Sequence, residues 1–255
     1  MKAMWAIILL AVSFAPFGAG AAGASISMGY FELPPHCYAE RTNRFAGKPK
    51  GALIEYFEAV ASEMGYETEW VGPLPLPRLS KYLQEGTIDG TVGFPKYPKF
   101  EEFLDYPESH VFVGQPTLVV RKESPLEEIR SVDDIKGYRI GLVKSISGKY
   151  TPLLDDNRAE LTVEELGGDG WVEQNIRKLL AGRLDALFDR QDRTIPFVAK
   201  RLGLDSQIKV LAIPDAPTPF YMVFSKRSPV GKAFVERCEP VIRRLNLDYG
   251  DLLRQ

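Results

Sequence analysis

The sequence predicts an α/β protein of two lobes joined by a double hinge, and three observations carry that reading. Strand-like and helix-like segments alternate from residue 26 onward. One short pattern occurs twice, once in each half. Two extended, β-rich stretches with proline at their margins lie where the halves would meet.

In chain order, Ile26-Ser27-Met28-Gly29-Tyr30 alternates as a strand does and runs into Glu32-Leu33-Pro34-Pro35-His36, where two prolines forbid regular structure and a loop follows. From Gly51, the apolar residues Leu53, Ile54, Phe57, Val60 and Met64 fall at helical spacing and stop at Gly65, a good C-terminal signal. Glu67 to Val71 reads as a strand. Pro73, Pro75 and Pro77 then break the chain before a helix carrying Leu79, Tyr82 and Leu83. The order is β, α, β, α.

The near-repeat pairs Leu83-Gln84-Glu85-Gly86-Thr87-Ile88-Asp89-Gly90 with Leu179-Leu180-Ala181-Gly182-Arg183-Leu184-Asp185-Ala186, the two central glycines lying 96 positions apart. In each copy the glycine can take the left-handed conformation that ends a helix, and the next apolar residue begins a buried strand. One such unit per half predicts two α/β lobes. Gln115 to Val120 and Pro219 to Phe224 are the extended connections. Val230 to Leu245 reads as a terminal helix kinked near Pro240; if it returns to the first lobe, that lobe is discontinuous.

The N-terminus sets the compartment. Met1-Lys2 is a short positive segment, Trp5 to Val12 an apolar one, and the small residues from Gly18 to Ala24 supply cleavage sites after Ala21 or Ala24, which together read as a secretory signal peptide over residues 1–24. The apolar run is shorter than the roughly 18 residues a membrane span needs. No cysteine near either site supports a lipid anchor, so the expectation is a periplasmic protein. About 230 residues remain, and a net charge of −2 gives no electrostatic footprint for nucleic acid. Cys37 and Cys238 permit one disulfide in an oxidising compartment, or stand as two buried thiols.

Candidate ligand residues cluster after the strands. Glu32, His36 and Tyr38 lie in the first strand-to-helix loop, where open α/β sheets bind ligands, although a solvated loop explains them equally. Phe94 follows the strand Ile88 to Gly93, placed to stack on a ligand or to fill the core. Arg78, among prolines before a helix, reads as a ligand contact or a surface cap; His110, Trp70 and Trp171 read as structural. There is no metalloprotease, nucleophile-elbow or phosphate-loop motif, and His36 and His110 are too far apart in sequence to suggest a metal site. No cofactor is expected.

With those pieces placed, the chain resembles the family 3 extracellular solute-binding proteins, the periplasmic receptors of polar amino acid ABC transporters. The resemblance rests on the order of Pro34-Pro35, the Leu53 to Gly65 helix, Gly86-Thr87-Ile88-Asp89-Gly90, Leu104-Asp105-Tyr106-Pro107, Asp133 to Gly141, and Gly182 to Ala186. It implies a periplasmic binding protein type II clamshell, with lobe one over 25–115 and 220–255 and lobe two over 116–219. It implies a monomer that is not an enzyme, closes on a small polar ligand, amino-acid-like or anionic, and presents it to the membrane permease of an ABC transporter. Two alternatives stay open: a dehydratase-like periplasmic enzyme using Glu32, Glu173 or Asp189 as a general acid, and a ligand-sensing subunit of a membrane receptor. The family's terminal helix packs on lobe one, which would bring Cys238 toward Cys37.

The departures from the family are informative. Members that bind amino acids carry an Arg shortly before the Leu104 block, gripping the ligand carboxylate with a bidentate fork. Here the segment Phe94 to Glu101 has no Arg, and Lys96 and Lys99 offer point charges instead. The family's hydroxyl-bearing turn falls at Ser145-Ile146-Ser147, and its acidic partner for the ligand amine at Asp189 or, one residue on, Arg190. The expectation is a pocket gripping its ligand through Lys96, Ser147 and one of that pair.

Overall fold

The computed structural model describes residues 24–42, 45–144, 147–167 and 170–254. The expected signal peptide, apart from Ala24, and Ser145-Ile146 of the expected turn lie outside the described residues. The chain runs β1 (Ala24–Gly29), β2 (Tyr38–Thr42), β3 (Phe45–Lys50), α1 (Ala52–Glu63), β4 (Tyr66–Val71), α2 (Leu76–Glu85), β5 (Gly90–Pro95), α3 (Pro98–Glu101), β6 (Leu104–Asp105) and β7 (Phe112–Gly114). It continues through β8 (Thr117–Arg121), β9 (Arg139–Val143), α4 (Pro152–Asp156), β10 (Thr162–Leu166), α5 (Trp171–Leu180), β11 (Ala186–Asp189), α6 (Thr194–Arg201) and β12 (Ile208–Ala212). β13 (Thr218–Ser225), α7 (Pro229–Leu245) and α8 (Tyr249–Leu252) close it.

Two sheets define the two lobes. The first has the order β4-β1-β5-β13-β6, with β7 also on β13; the second has the order β10-β9-β11-β8-β12. In each, three parallel strands are completed by one antiparallel strand that arrives from the other lobe. β13 pairs with β5, and β8 pairs with β11. The crossings run side by side: Thr218 sits opposite Gly114, Gln115 Nε2 donates to the Ile213 carbonyl at 2.9 Å, and the Ile213 N–H donates to the Pro116 carbonyl at 2.9 Å. Two adjacent, hydrogen-bonded connections form a double hinge. This is the α/β clamshell that the repeat and the extended segments predict.

The repeated pattern has one physical job in both lobes. Gly86 and Gly182 end α2 and the turn after α5 at φ of 72° and 69°, a conformation that costs glycine nothing. Three residues on, Asp89 accepts the Ser27 N–H at 2.7 Å and returns its own N–H to the Ser27 carbonyl at 2.8 Å, which fixes the start of β5 against β1. Asp185 does the same to Arg139, at 3.0 and 2.9 Å, fixing β11 against β9. The copies differ in what else they hold. Asp89 also accepts the hydroxyls of Ser27 and Ser228, and Ser228 is the N-cap of α7, whereas Asp185 pairs with the half-exposed Arg139 guanidinium. Asp89→Ala is therefore expected to cost about 2–4 kcal/mol, since bonds to an ionised acceptor are lost together. Asp185→Ala should cost about 1 kcal/mol, as solvated ion pairs do. Urea denaturation of both variants checks the ratio.

The cores follow from the pattern of burial. In lobe two, Leu118 and Val120 of β8 pack with Ile140, Leu142 and Phe188, while Val119 packs with Ile176, Leu179 and Leu187 on the other face. Such alternation, apolar on both sides, is what a sheet covered on both faces requires. In lobe one, Phe234 of α7 stacks on Phe57 of α1 at 5.4 Å and lies 5.0 Å from Phe224 of β13. The terminal helix thus packs on lobe one and keeps Pro240 within its length. Cys37 and Cys238 are both buried free thiols, donating to the carbonyls of Phe31 and Val235, and burial pushes each up to about 12. The segment after Pro34-Pro35, expected to be a loop, instead includes the antiparallel hairpin β2-β3, tied by Lys50–Glu40 at 2.5 Å. Its register shifts between Ala39 and Arg41, and this irregularity hides the two-residue period that would have announced it.

Candidate functional site

The site lies between the lobes. Two cavities adjoin there, one of about 110 Å³ and one of about 650 Å³, and both are lined by Phe31, Leu33 and Leu76 from lobe one and by Val143 and Trp171 from lobe two. Several of the residues that line them, Phe94, Pro95, Val143 and Asp189, sit at strand ends, as open α/β sheets place their ligands, while Leu76 and Trp171 begin the helices α2 and α5.

On the lobe-one side, the local sequence aims the walls. Gly93 is the extra residue of a bulge in β5: Val92 faces Met222 and Phe94 faces Tyr221, with Gly93 at φ +77° between them. The left-handed backbone disfavours any side chain there, and a Cβ would also press on Leu53 Cδ1 at 2.8 Å. The bulge turns the strand end so that Phe94 and Pro95, followed by Tyr97, line the smaller cavity. Phe94 is 2% exposed and packs edge-on against Phe31 at 6.0 Å, so it fills the core and walls the cavity at once.

On the lobe-two side, β11 ends in Asp189 and Arg190, and their side chains part ways. The Asp189 carboxylate is buried and accepts the N–H groups of Gln191 and Ile195, at 3.3 and 2.9 Å, so it caps the start of α6. Burial pushes it up to about 6, against the lowering effect of those N–H donors. Arg190 turns into the cleft. Its Nη1 donates to Tyr97 Oη at 2.6 Å and to the Tyr150 carbonyl, and Nη2 donates to the Lys149 carbonyl at 2.6 Å. The guanidinium lies over the rings of Tyr97 and Phe188 at 5.8 and 5.7 Å. Desolvation lowers its pKa from the ordinary arginine range and raises that of Tyr97. The Tyr97 hydroxyl, the Asp155 carboxylate and the Tyr150 hydroxyl act on Arg190 in the opposite sense, favouring the charged form. Of its five N–H donors the bonds to Tyr97, Tyr150 and Lys149 occupy three.

The structure brings four of the sequence-predicted residues to the smaller cavity, Phe94, Ser147, Asp189 and Arg190, and places Glu32 on the wall of the larger one. Four lie elsewhere. His36 is fully buried in lobe one, bonded through Nδ1 to Tyr249 Oη at 2.7 Å and stacked on Phe112 at 4.6 Å. Tyr38 meets Phe197 of α6 at 6.0 Å, an aromatic contact from one lobe to the other outside the cavities. Arg78 is exposed. Lys96 pairs with Glu101 at 3.1 Å and lies over the Tyr106 ring at 5.5 Å. Pro95 and Tyr97 line the cavity and Lys96 between them does not, its ammonium being held by Glu101 and the Tyr106 ring. Tyr97 and Trp171, which the sequence reading left out of the site, line it; the signals that find them are Tyr97's place two residues after Pro95 and Trp171's place as first residue of α5.

The Tyr97 hydroxyl is the polar bridge from lobe one to the Arg190 charge. Removing it with Tyr97→Phe should lower the affinity of a cleft ligand by roughly tenfold, because a hydrogen bond to a charged group contributes about 1.5–3 kcal/mol and solvent recovers part of it. Calorimetric titration measures that loss.

Fold and cleft together define a two-lobed clamshell of the periplasmic binding protein type. Among solved structures it is similar to an amino acid ABC transporter substrate-binding protein from Streptococcus pneumoniae bound to L-arginine, with 19% identity over 91% of this chain and 93% of that one and a TM-score of 0.70. The holo arginine-binding protein of T. maritima superposes with a TM-score of 0.69 at 16% identity, covering 90% of this chain and 94% of that one. A histidine kinase sensor domain similar to periplasmic binding proteins gives 0.68 at 18% identity, covering 90% and 93%. No family model and no curated protein matches the sequence.

Proposed function

We propose that this protein is a periplasmic solute-binding protein: it captures a small polar molecule between its lobes and hands it to the permease of an ABC importer. One observation carries the reading, the cavity between the lobes with the Arg190–Tyr97 hydrogen bond spanning it. A cation from one lobe and a hydroxyl from the other meet only when the lobes are closed, so a ligand that joins them stabilises the closed form. The lobes divide at the paired crossings, with 25–115 and 220–255 in one and 116–219 in the other, and the chain acts as a monomer after losing residues 1–24. Substrate-binding proteins of ABC transporters with this fold support the transport role. No helix among the described residues is long and apolar enough to cross a membrane.

A sensing role is the second reading, favoured by the kinase sensor domain of the same fold. Catalysis has weaker support, since Asp189 is committed to backbone N–H groups and Glu173 pairs with Arg177 at 2.7 Å. A thermal-shift screen against polar metabolites, with product analysis of every hit, tests the proposal. A ligand at 100 times its Kd adds about 2.7 kcal/mol of stability. Binding without turnover is expected. Turnover of a hit, or a library without any hit, overturns the reading.

A further inference from the structure

We infer that the ligand is an organic anion with an apolar body and no ammonium group, an inference that rests on the solute-binding reading above. The charges of the smaller cavity decide its sign. Among the described residues two formally charged side chains line it, Arg190 and Asp189. Asp189 is 3% exposed and spends its carboxylate on N–H groups of the α6 start, so it offers nothing to a ligand cation. Among the described residues, the bonds to Tyr97, Tyr150 and Lys149 take three of the five N–H groups of Arg190, and the two left over, one on Nε and one on Nη2, are donors of the kind a carboxylate accepts.

The remaining wall selects the body. Phe31, Phe94, Phe100, Trp171, Phe188 and Phe220 give the cavity an aromatic lining, which rewards apolar surface and flat rings. An α-amino acid brings an ammonium two bonds from its carboxylate. Held at Arg190, that ammonium is drawn out of water beside a like charge, and the one carboxylate that lines the smaller cavity among the described residues, Asp189, is already committed to backbone N–H groups. The des-amino acid of the same skeleton has no such cost.

The test is calorimetric titration of the purified protein with three probes of one skeleton: 3-phenylpropionate, L-phenylalanine and 2-phenylethylamine, with hexanoate and norleucine as the aliphatic pair. The expected result is that each carboxylate binds at least roughly tenfold tighter than its amino acid, with the amine weakest. An amino acid that binds as tightly as its des-amino partner, or an amine that binds tightest, overturns the inference and leaves the solute-binding reading standing. Absence of carboxylate binding at about 1 mM also overturns it. The metabolite screen then decides the solute-binding reading separately.

Discussion

Arg190→Gln should abolish useful binding of a carboxylate ligand, weakening it from about thirtyfold to several thousandfold, because removing one partner of a desolvated charge pair costs about 2–5 kcal/mol or more. The glutamine amide can still donate to a carbonyl, as Nη2 does to Lys149, so lobe two keeps its shape. Arg190→Lys should recover the charge and little of the affinity, since an ammonium cannot reach Tyr97, two carbonyls and a ligand with one planar fork. Calorimetry against 3-phenylpropionate, with far-ultraviolet circular dichroism as the fold control, reads both variants. Equal affinity in wild type and Arg190→Gln would place the anion elsewhere in the cleft.

The second large effect is on stability at acid pH, and it comes from His36. Burial holds this ring far below the ordinary histidine range, at about 3, with the positive charge of Arg193 adding to the shift. Among the described residues its Nε2 has no hydrogen-bond partner, so an imidazolium would bring a second N–H into the core with no acceptor there. The unfolded chain takes up the proton near 6.5, whereas the folded protein refuses it until about 3. The stability His36 contributes is therefore present above pH 6.5 and is lost as pH falls toward 3, by on the order of 3–5 kcal/mol. Asp189 works in the opposite sense: its folded pKa of about 6 lies above the unfolded value of 3.8, so its stabilising proton is present below 3.8 and lost as pH rises through 6. The two slopes offset each other between pH 4 and 6. The His36 effect is read as the difference in denaturation free energy between wild type and His36→Phe, which fits the slot beside Phe112 and does not titrate. That difference should shrink steadily from pH 7 to pH 4. A difference independent of pH, or a His36 ring that titrates near 6.5 by nuclear magnetic resonance, contradicts the account.

Much of the fold was legible because its signals are local. Gly86 and Asp89, with Gly182 and Asp185, each mark a helix stop and a strand start within four residues, and the structure uses both copies alike. The hairpin β2-β3 was not legible, since its irregular register breaks the two-residue period. The site was read in part for a related reason. Its place after a strand pointed to Phe94, the family resemblance pointed to Ser147, Asp189 and Arg190, and the structure brings those four to one cavity. Which neighbour turns inward is decided by packing across the cleft, which no short segment encodes. Lys96 and Tyr97 differ by one residue, and so do Asp189 and Arg190. In both cases the bonds formed after folding, Lys96 to Glu101 and Asp189 to the α6 N–H groups, settle which side chain remains for the cleft.

The most direct test of the clamshell itself is small-angle X-ray scattering of the purified protein, alone and saturated with the tightest-binding compound of the metabolite screen. The account predicts that the radius of gyration falls on binding, and that Tyr97→Phe at the same saturation shows a smaller fall because one bridge between the lobes is gone. Saturation by a tightly bound compound with no change in the scattering curve, in wild type and variant alike, would contradict closure of the lobes around their ligand.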